Sequence, residues 1–279
     1  LGDLTLERVL VSYHSGPEAG GVLNRGRLVV RNADFVSNVS LSRGGAIHND
    51  GGSLEVDGSR LRENTSAVDG GAIYAKGGTV ALRNSVLLGN LGRYGGAINL
   101  RESVVTVDDT QLTGNRADLG GAVFSYGGSV TFNRGTMERN RADVGGAVYL
   151  YATDTVPGRS LKLSGTRLTE NTAAGTYGFG GAITNNGGDL TMTQVTLADN
   201  VARNGGALYA YQPASTVVGE QLIVERNGAA RGAGLFVDGG RLTLSRSQFT
   251  QNAATLDGGG LHLARSLVAL TDVNLTSNS

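Results

Sequence analysis

Pairs of apolar residues separated by one residue recur along the whole chain. Typical pairs are Leu54/Val56, Val80/Leu82, Val105/Val107, Val130/Phe132, Leu190/Met192 and Leu242/Leu244. This period of two predicts short β-strands that bury one face and expose the other. About ten residues after each apolar pair comes an apolar-x-x-Asn element. About ten residues before each apolar pair stands a Gly-Gly pair. The pattern predicts three short strands in each unit and no helix.

These elements form a repeat unit of about 25 residues. Residues 112–124 return 25 residues later as residues 137–149. Equivalent strands of successive units can pair in parallel when the chain winds into coils that cover one another. The sequence therefore predicts an all-β fold, a right-handed parallel β-helix of roughly ten to eleven coils, each with three short strands. The handedness follows from the preference of parallel strands for right-handed connections.

The Asn of the second element recurs in every unit. Stacked Asn side chains can satisfy one another, because each amide donates to one neighbouring coil and accepts from the other. We expect a structural Asn ladder formed by Asn38, Asn64, Asn90, Asn115, Asn140, Asn171, Asn200, Asn227, Asn252 and Asn278. The Gly pair would supply another corner, with a positive φ or a close backbone approach.

Composition narrows the classes of partner. Lys plus Arg and Asp plus Glu are equal at 24 each, which disfavours a nucleic-acid binder. No apolar run is long enough to cross a membrane, so we expect no direct membrane insertion. There is no Cys, so neither a disulfide framework nor a thiolate metal site can form.

The period is interrupted at two places that predict loops on the flank of the helix. Between Gly145 and Gly180 the step grows to 35 residues, with insertions in the segments 151–160 and 172–179. Two further extra residues lie near Gln212 and Pro213. Flank loops of solenoids are common places for binding function.

Aromatic residues cluster beside these loops. If the residue after Gly-Gly-Ala points into the core, the next residue and the one two beyond it point outward. Such rings can be strand formers that only stack on one another, or they can form a binding surface. We expect a binding patch of Phe124, Tyr126, Tyr149 and Tyr151, extended by Tyr209 and Tyr211.

Candidates for catalysis or metal binding are weaker. Asp108 and Asp109 are adjacent carboxylates, but in a strand they would point to opposite faces, and we expect them to be solvated turn residues. The three histidines, His14, His48 and His262, are too scattered for a metal cluster. The carboxylates before Gly pairs could form a partial calcium ladder, but Asp is a common turn residue; they are Asp69, Asp118, Asp143 and Asp257. We expect no catalytic residue, no bound metal and no cofactor.

Two motifs together resemble a known repeat family. Gly44-Gly45-Ala46-Ile47 and its equivalents match Gly-Gly-Ala-(Ile/Leu/Val), and residues 35–38 and 249–252 match Phe-x-x-Asn. These motifs are similar to the repeats of the polymorphic outer-membrane proteins, best known from chlamydial surface autotransporters. The resemblance implies an exported passenger-type domain at the bacterial cell surface, used in adhesion or surface structure, and it implies no catalytic residue.

These observations give one expected organisation and two functional hypotheses. Residues 1–279 are expected to form one β-helix domain cut from a longer exported protein, whose uncapped end coils would favour head-to-tail self-association. The favoured hypothesis is an extracellular structural or adhesive β-helix that binds a glycan or a protein partner. The alternative is a carbohydrate-active enzyme, a polysaccharide lyase or hydrolase, which would need clustered carboxylates in a groove.

Overall fold

The computed structural model describes residues 2–152 and 160–279 and shows a parallel β-solenoid. It has about 10 turns of about 26 residues and, within the described residues, no helix. The predicted all-β architecture is therefore confirmed. Of the predicted insertion at 151–160, residues 153–159 lie outside the described residues. In the described part of the chain, no helix has the length and apolar character needed to cross a membrane.

Sheet 1 contains the strands of the alternating apolar pairs. It has 11 parallel strands, each of five residues. In chain order they are Asp3–Glu7, Arg27–Arg31, Ser53–Asp57, Thr79–Arg83, Val104–Asp108, Ser129–Asn133, Ser160–Ser164, Asp189–Thr193, Thr216–Glu220, Arg241–Ser245 and Leu267–Thr271.

Sheet 2 contains the strands that precede the ladder asparagines. It also has 11 parallel strands, each of three residues. They are Leu10–Ser12, Asp34–Val36, Arg60–Arg62, Val86–Leu88, Gln111–Thr113, Thr136–Glu138, Arg167–Thr169, Thr196–Ala198, Ile223–Glu225, Gln248–Thr250 and Asn274–Thr276.

Sheet 3 begins directly after the Gly-Gly element and carries the predicted aromatic patch. Its 10 strands are Val22–Asn24, Ile47–Asp50, Ile73–Lys76, Ile98–Arg101, Val123–Tyr126, Val148–Tyr151, Ile183–Asn186, Leu208–Tyr211, Leu235–Asp238 and Leu261–Ala264. Short strands between sheets 2 and 3 complete the coils at Ser15–Gly16, Val39–Ser40, Thr65–Ser66, Arg141–Ala142, Thr172–Ala173, Gly228–Arg231 and Ala253–Asp257.

The core is a set of rows that run along the solenoid. The pairing register places each residue on its equivalent in the next coil, as in Ile73 on Ile98 and Ile98 on Val123. The predicted inward residues of sheet 3 all belong to the buried core: Ile47, Ile73, Ile98, Val123, Val148, Ile183 and Leu208. The apolar pairs of sheet 1 face them, which confirms the predicted core rows.

The two glycines of each pair have different roles. From Gly44 onward the first adopts a positive φ, such as 64° at Gly120, which L-residues with a side chain adopt only with strain. At the second, Gly121, an added Cβ would lie 2.1 Å from the carbonyl oxygen of Gly146 in the next coil. The backbone of adjacent coils is therefore too close at this corner for any side chain.

Candidate functional site

The ladder asparagines join successive coils through side-chain hydrogen bonds. The side-chain amide of Asn90 donates to Oδ1 of Asn115 at 3.0 Å and to the carbonyl of Leu61 at 2.9 Å. The backbone N–H of Asn90 donates to the same Oδ1 at 2.9 Å. Asn115 repeats this pattern on Asn140, and the same geometry continues to Asn278. Each Oδ1 therefore accepts two N–H groups from the preceding coil, which satisfies a polar row inside the molecule.

The first outward position is buried in the sheet 3 strands that carry the patch, which corrects the expected exposure of three of its rings. Phe124, Tyr149 and Tyr209 are only 7%, 7% and 9% exposed. The residue that precedes a Gly pair covers two of them, because Tyr94 lies 5.5 Å from Phe124 and Phe179 stacks on Tyr209 at 4.5 Å between ring centroids. Tyr149 stacks on Phe124 at 5.6 Å. We call Phe124, Tyr149 and Tyr209 the inner ring row; these side chains pack and do not face solvent.

The second outward position carries rings that reach solvent. Tyr126, Tyr151 and Tyr211 are half-buried, and we call them the outer ring row. Tyr126 and Tyr151 lie on adjacent coils with centroids 5.5 Å apart and planes inclined by 21°. The ring of Tyr151 also stacks on the ring of Tyr149, with centroids 6.1 Å apart, so Tyr149 of the inner ring row packs against Tyr151 of the outer one.

The coil that carries Thr184 and Asn186 separates Tyr151 from Tyr211, yet the rings stay connected across it. The hydroxyl groups of Tyr149 and Tyr211 lie 3.3 Å apart, and the amide of Asn186 donates to the Tyr149 hydroxyl at 3.0 Å. Burial and the neighbouring Tyr149 raise the pKa of Tyr211, which keeps this phenol protonated as a hydrogen-bond partner. The six predicted patch residues therefore form one stripe, in which these hydrogen bonds link the rings on either side of the coil that carries Asn186.

A concavity of about 350 Å³ lies over one end of this stripe. Its walls are formed by Tyr94, Arg101, Leu119, Phe124, Tyr126, Tyr149 and Tyr151. The Arg101 guanidinium lies 5.6 Å from the centroid of the Tyr126 ring. Aromatic faces beside a cationic hydrogen-bond donor can stack on a flat apolar surface and hold a polar substituent at its edge. The sequence pattern missed Arg101, although the register of sheet 3 places it beside Tyr126.

A second concavity, of about 770 Å³, lies at the other end of the stripe. Tyr211, the inserted Gln212 and Pro213, and the strands that follow form it. Two of its charged side chains are paired, because Arg265 donates through Nε and Nη2 to Asp238 at 2.9 and 2.6 Å, while Arg241 also lines the concavity. The glycines at 239 and 240 open this corner, and they were the sequence signal that could have located it.

The carboxylates considered for catalysis are held by cations or amides. Asp108 accepts a hydrogen bond from Asn133 at 2.7 Å, and Asp109 accepts two from Arg134 at 3.0 and 2.8 Å. The hydrogen bonds and charge of Arg134 lower the pKa of Asp109. A general acid of a glycosidase needs the opposite, a raised pKa that keeps the proton at neutral pH.

The carboxylates considered for calcium do not converge either. Asp69 is buried and faces Arg43 at 3.3 Å and Asn99 at 2.8 Å. Asp118 pairs with Arg93 at 3.4 Å, and Asp257 pairs with Arg231 at 3.1 Å. Over residues 2–152 and 160–279, no group of three or more His, Cys, Asp and Glu residues has the geometry to hold a metal ion.

His48 occupies the first outward position of the strand Ile47–Asp50 in sheet 3 and is only 6% exposed. Burial lowers its pKa, while the nearby charge of Asp50 opposes that effect. The folded state therefore disfavours the protonated imidazole, and stability is present above the unfolded pKa of about 6.5 and is lost as the pH falls below it.

We accordingly expect the free energy of unfolding to fall between pH 7 and pH 5, and His48→Phe to reduce that fall. Denaturant unfolding at the two pH values measures it, with His14→Phe at an exposed position as the control. The same pH dependence in His48→Phe and the wild type would show that His48 is not its source.

Comparison with known proteins agrees with the repeat motifs. Residues 59–76 match the family model of the Chlamydia polymorphic membrane protein repeat. This span contains the strand Arg60–Arg62, the ladder residue Asn64 and the Gly70-Gly71-Ala72-Ile73 corner, so it includes both motifs of the unit. The comparisons with curated proteins and with solved structures gave no match. The matched repeat and the parallel β-solenoid together identify the chain as a β-helix with polymorphic membrane protein-like repeats, which suggests a surface-exposed protein of the bacterial outer-membrane type.

Proposed function

We propose that this β-helix is an adhesive module of the bacterial surface that binds a glycan through the outer ring row, at Tyr126 and Tyr151. The observation that carries the proposal is the concavity of about 350 Å³ in which these two rings stand side by side with Arg101. The polymorphic membrane protein repeat supports a surface location for such a module.

The rings suit a sugar because of how they are held. The stack on Tyr149 fixes Tyr151, and the 5.5 Å contact fixes Tyr126 against Tyr151. A ring that is already ordered loses little rotamer freedom when a ligand binds. Sugar rings present flat C–H faces and hydroxyl rims, which match an aromatic face and the phenol hydroxyls at its edge.

The repeat also sets the direction of the ligand. Equivalent residues of adjacent coils are separated by about 4.8 Å, the spacing of paired strands. A chain of sugars lying along the solenoid axis would meet a new side chain of sheet 3 at each coil. An extended oligosaccharide therefore fits the site better than a single monosaccharide does.

We expect Tyr126→Ser/Tyr151→Ser to lose glycan binding while the solenoid stays folded. Two lost ring contacts should weaken the affinity at least about tenfold, and half-exposed positions contribute little to the core. A glycan array probed with the wild type and the double variant measures the binding, and circular dichroism checks the fold.

The control is Tyr13→Ser, which removes a tyrosine that is 80% exposed and follows the first strand of sheet 2. This control should bind like the wild type. Wild-type protein that binds no glycan, or a Tyr126/Tyr151 variant that binds as well as the control, contradicts the proposed function. Binding of a protein partner in place of a glycan would contradict the ligand class as well.

A further inference from the structure

We propose that the glycan is acidic, a carboxylate-bearing oligosaccharide whose sugar rings lie on Tyr126 and Tyr151 and whose carboxylates bind Lys76 and Arg101. This inference rests on the proposed function and names the ligand class of the same site.

The four side chains lie on one line. In sheet 3, Lys76 is the register partner of Arg101, Arg101 of Tyr126, and Tyr126 of Tyr151. Side chains at matching positions of parallel strands leave the sheet on the same face, about 4.8 Å apart from coil to coil. Two cations are thus followed by two rings along the axis of the solenoid.

The only carboxylate partner of Arg101 among the described residues is distant and shared. This partner is Asp69, whose Oδ1 lies 4.0 Å from Nη2 of Arg101. Asp69 is already held by Arg43 at 3.3 Å and by the amide of Asn99 at 2.8 Å. Nε of Arg101 is buried and has no hydrogen-bond partner among the described residues, while the side chain as a whole is 39% exposed. A ligand carboxylate would therefore approach the exposed part of the guanidinium and give it shorter hydrogen bonds than the contact with Asp69 provides.

Lys76 adds a second positive charge beside Arg101. It is exposed, and within residues 2–152 and 160–279 it forms no salt bridge. Its neighbour on the other side, Asp50, accepts a hydrogen bond from Arg25 at 3.0 Å. Two cations on adjacent coils repel each other, and an anion that bridges them removes this repulsion.

Four other arginines of the surface differ from Arg101. Arg134 and Arg226 each donate twice to a carboxylate one coil away, Asp109 and Asp199. Arg116 and Arg141 also lie on adjacent coils, in a concavity of about 560 Å³. That concavity has no aromatic wall, and it also contains Asp118 and Asp143, which would repel a carboxylate.

Arg101 and the rings line the same concavity, and Lys76 lies one coil beyond it. Arg101, Tyr126 and Tyr151 all line the concavity of about 350 Å³. The guanidinium lies 5.6 Å from the centroid of the Tyr126 ring, so a sugar that contacts Tyr126 beside it brings its neighbouring residue to Arg101. The carboxylate of that residue can accept two parallel N–H groups from the guanidinium, a geometry that a hydroxyl group cannot match.

The test compares each acidic oligosaccharide with its own methyl ester, which has the same sugars without the charge. Hexasaccharides of galacturonate and of hyaluronan are titrated against the wild type by calorimetry. We expect at least one acid to bind at least about tenfold more tightly than its ester, and raising the salt concentration to reduce this preference.

Lys76→Gln/Arg101→Gln should remove the preference for the acid, so that this variant binds the acid and its ester with equal affinity. Arg60→Gln/Arg62→Gln removes the same charge from exposed positions of sheet 2 and should keep the preference. Loss of the preference in both variants would show that only net charge matters and would overturn the inference.

The two proposals fail in different ways. Equal binding of acid and ester by the wild type, abolished by Tyr126→Ser/Tyr151→Ser, overturns the acidic ligand and leaves the glycan site standing. Acid binding that persists in Tyr126→Ser/Tyr151→Ser contradicts the ring site of the proposed function. Binding of neither the acids nor the esters, together with an array hit for a neutral glycan, also overturns the acidic ligand alone.

Discussion

Gly121→Ala is expected to destabilise the solenoid strongly. The new Cβ would lie 2.1 Å from the carbonyl oxygen of Gly146 and 2.7 Å from the backbone nitrogen of Arg141. Both obstacles are backbone atoms, which cannot rotate away as a side chain could. The coils must separate, which weakens the hydrogen bonds from Gly121 to Gly145 and from Ala122 to Ala147, 3.1 and 2.9 Å long.

The expected loss in the free energy of unfolding is more than about 4 kcal/mol, a large part of the stability of an ordinary domain. Thermal and denaturant unfolding followed by circular dichroism measure it. The control is Gly114→Ala in the same coil, where φ is 63° and no atom lies within 4 Å of the added Cβ. That change should cost only about 1 to 2 kcal/mol of backbone strain. Equal losses in the two variants would refute the close-approach argument.

Asn115→Leu is expected to break the internal ladder. The side chain of Asn115 accepts both the backbone N–H and the side-chain amide of Asn90, at 2.9 and 3.0 Å. It also donates to the carbonyl of Leu87 and to Oδ1 of Asn140, each at 3.0 Å. Leucine would leave two buried donors of Asn90 without their acceptor, at about 1 to 3 kcal/mol for each group.

Denaturant unfolding of Asn115→Leu should therefore show a loss of about 3 kcal/mol or more. Asn274→Leu replaces an exposed Asn in sheet 2, and its effect should stay within about 0.5 kcal/mol. Amide hydrogen exchange adds a local reading, because the backbone N–H of Asn90 should lose protection while distant coils keep theirs. Unchanged protection at Asn90 would show that the ladder does not hold the coils together.

The strands and the core were predictable because the repeat encodes them locally. The apolar pair Val105/Val107 alternates as a half-buried strand must, and both residues are buried in sheet 1. The recurring Gly-Gly pair located the corner, and the structure shows why each glycine is needed there. One unit, together with its period, is enough to specify these features.

The exposure of the rings was not predictable from one unit. Phe124 and Tyr209 point away from the core as expected, but Tyr94 and Phe179 cover them from other coils. Only some units have an aromatic residue before the Gly pair, so the motif itself gives no sign of this cover. Burial of the inner ring row is a property of neighbouring coils and not of the repeat.

The charge at the site also depends on contacts between coils. Asp69 and Asn99 are 30 residues apart and meet only because successive coils stack. Aligning the units in rows would have placed Lys76, Arg101, Tyr126 and Tyr151 on one line, since the register follows the period. The period cannot say which of these cations already has a carboxylate partner, because that depends on side-chain conformation.

The most direct measurement of the central claim is a crystal structure of the chain with an oligosaccharide that binds it. We expect the sugar along the axis of sheet 3, with ring atoms in van der Waals contact, about 3.5 to 4.0 Å, with the faces of Tyr126 and Tyr151. A sugar bound on sheet 1 or sheet 2, with these two rings still open to solvent, would contradict the account.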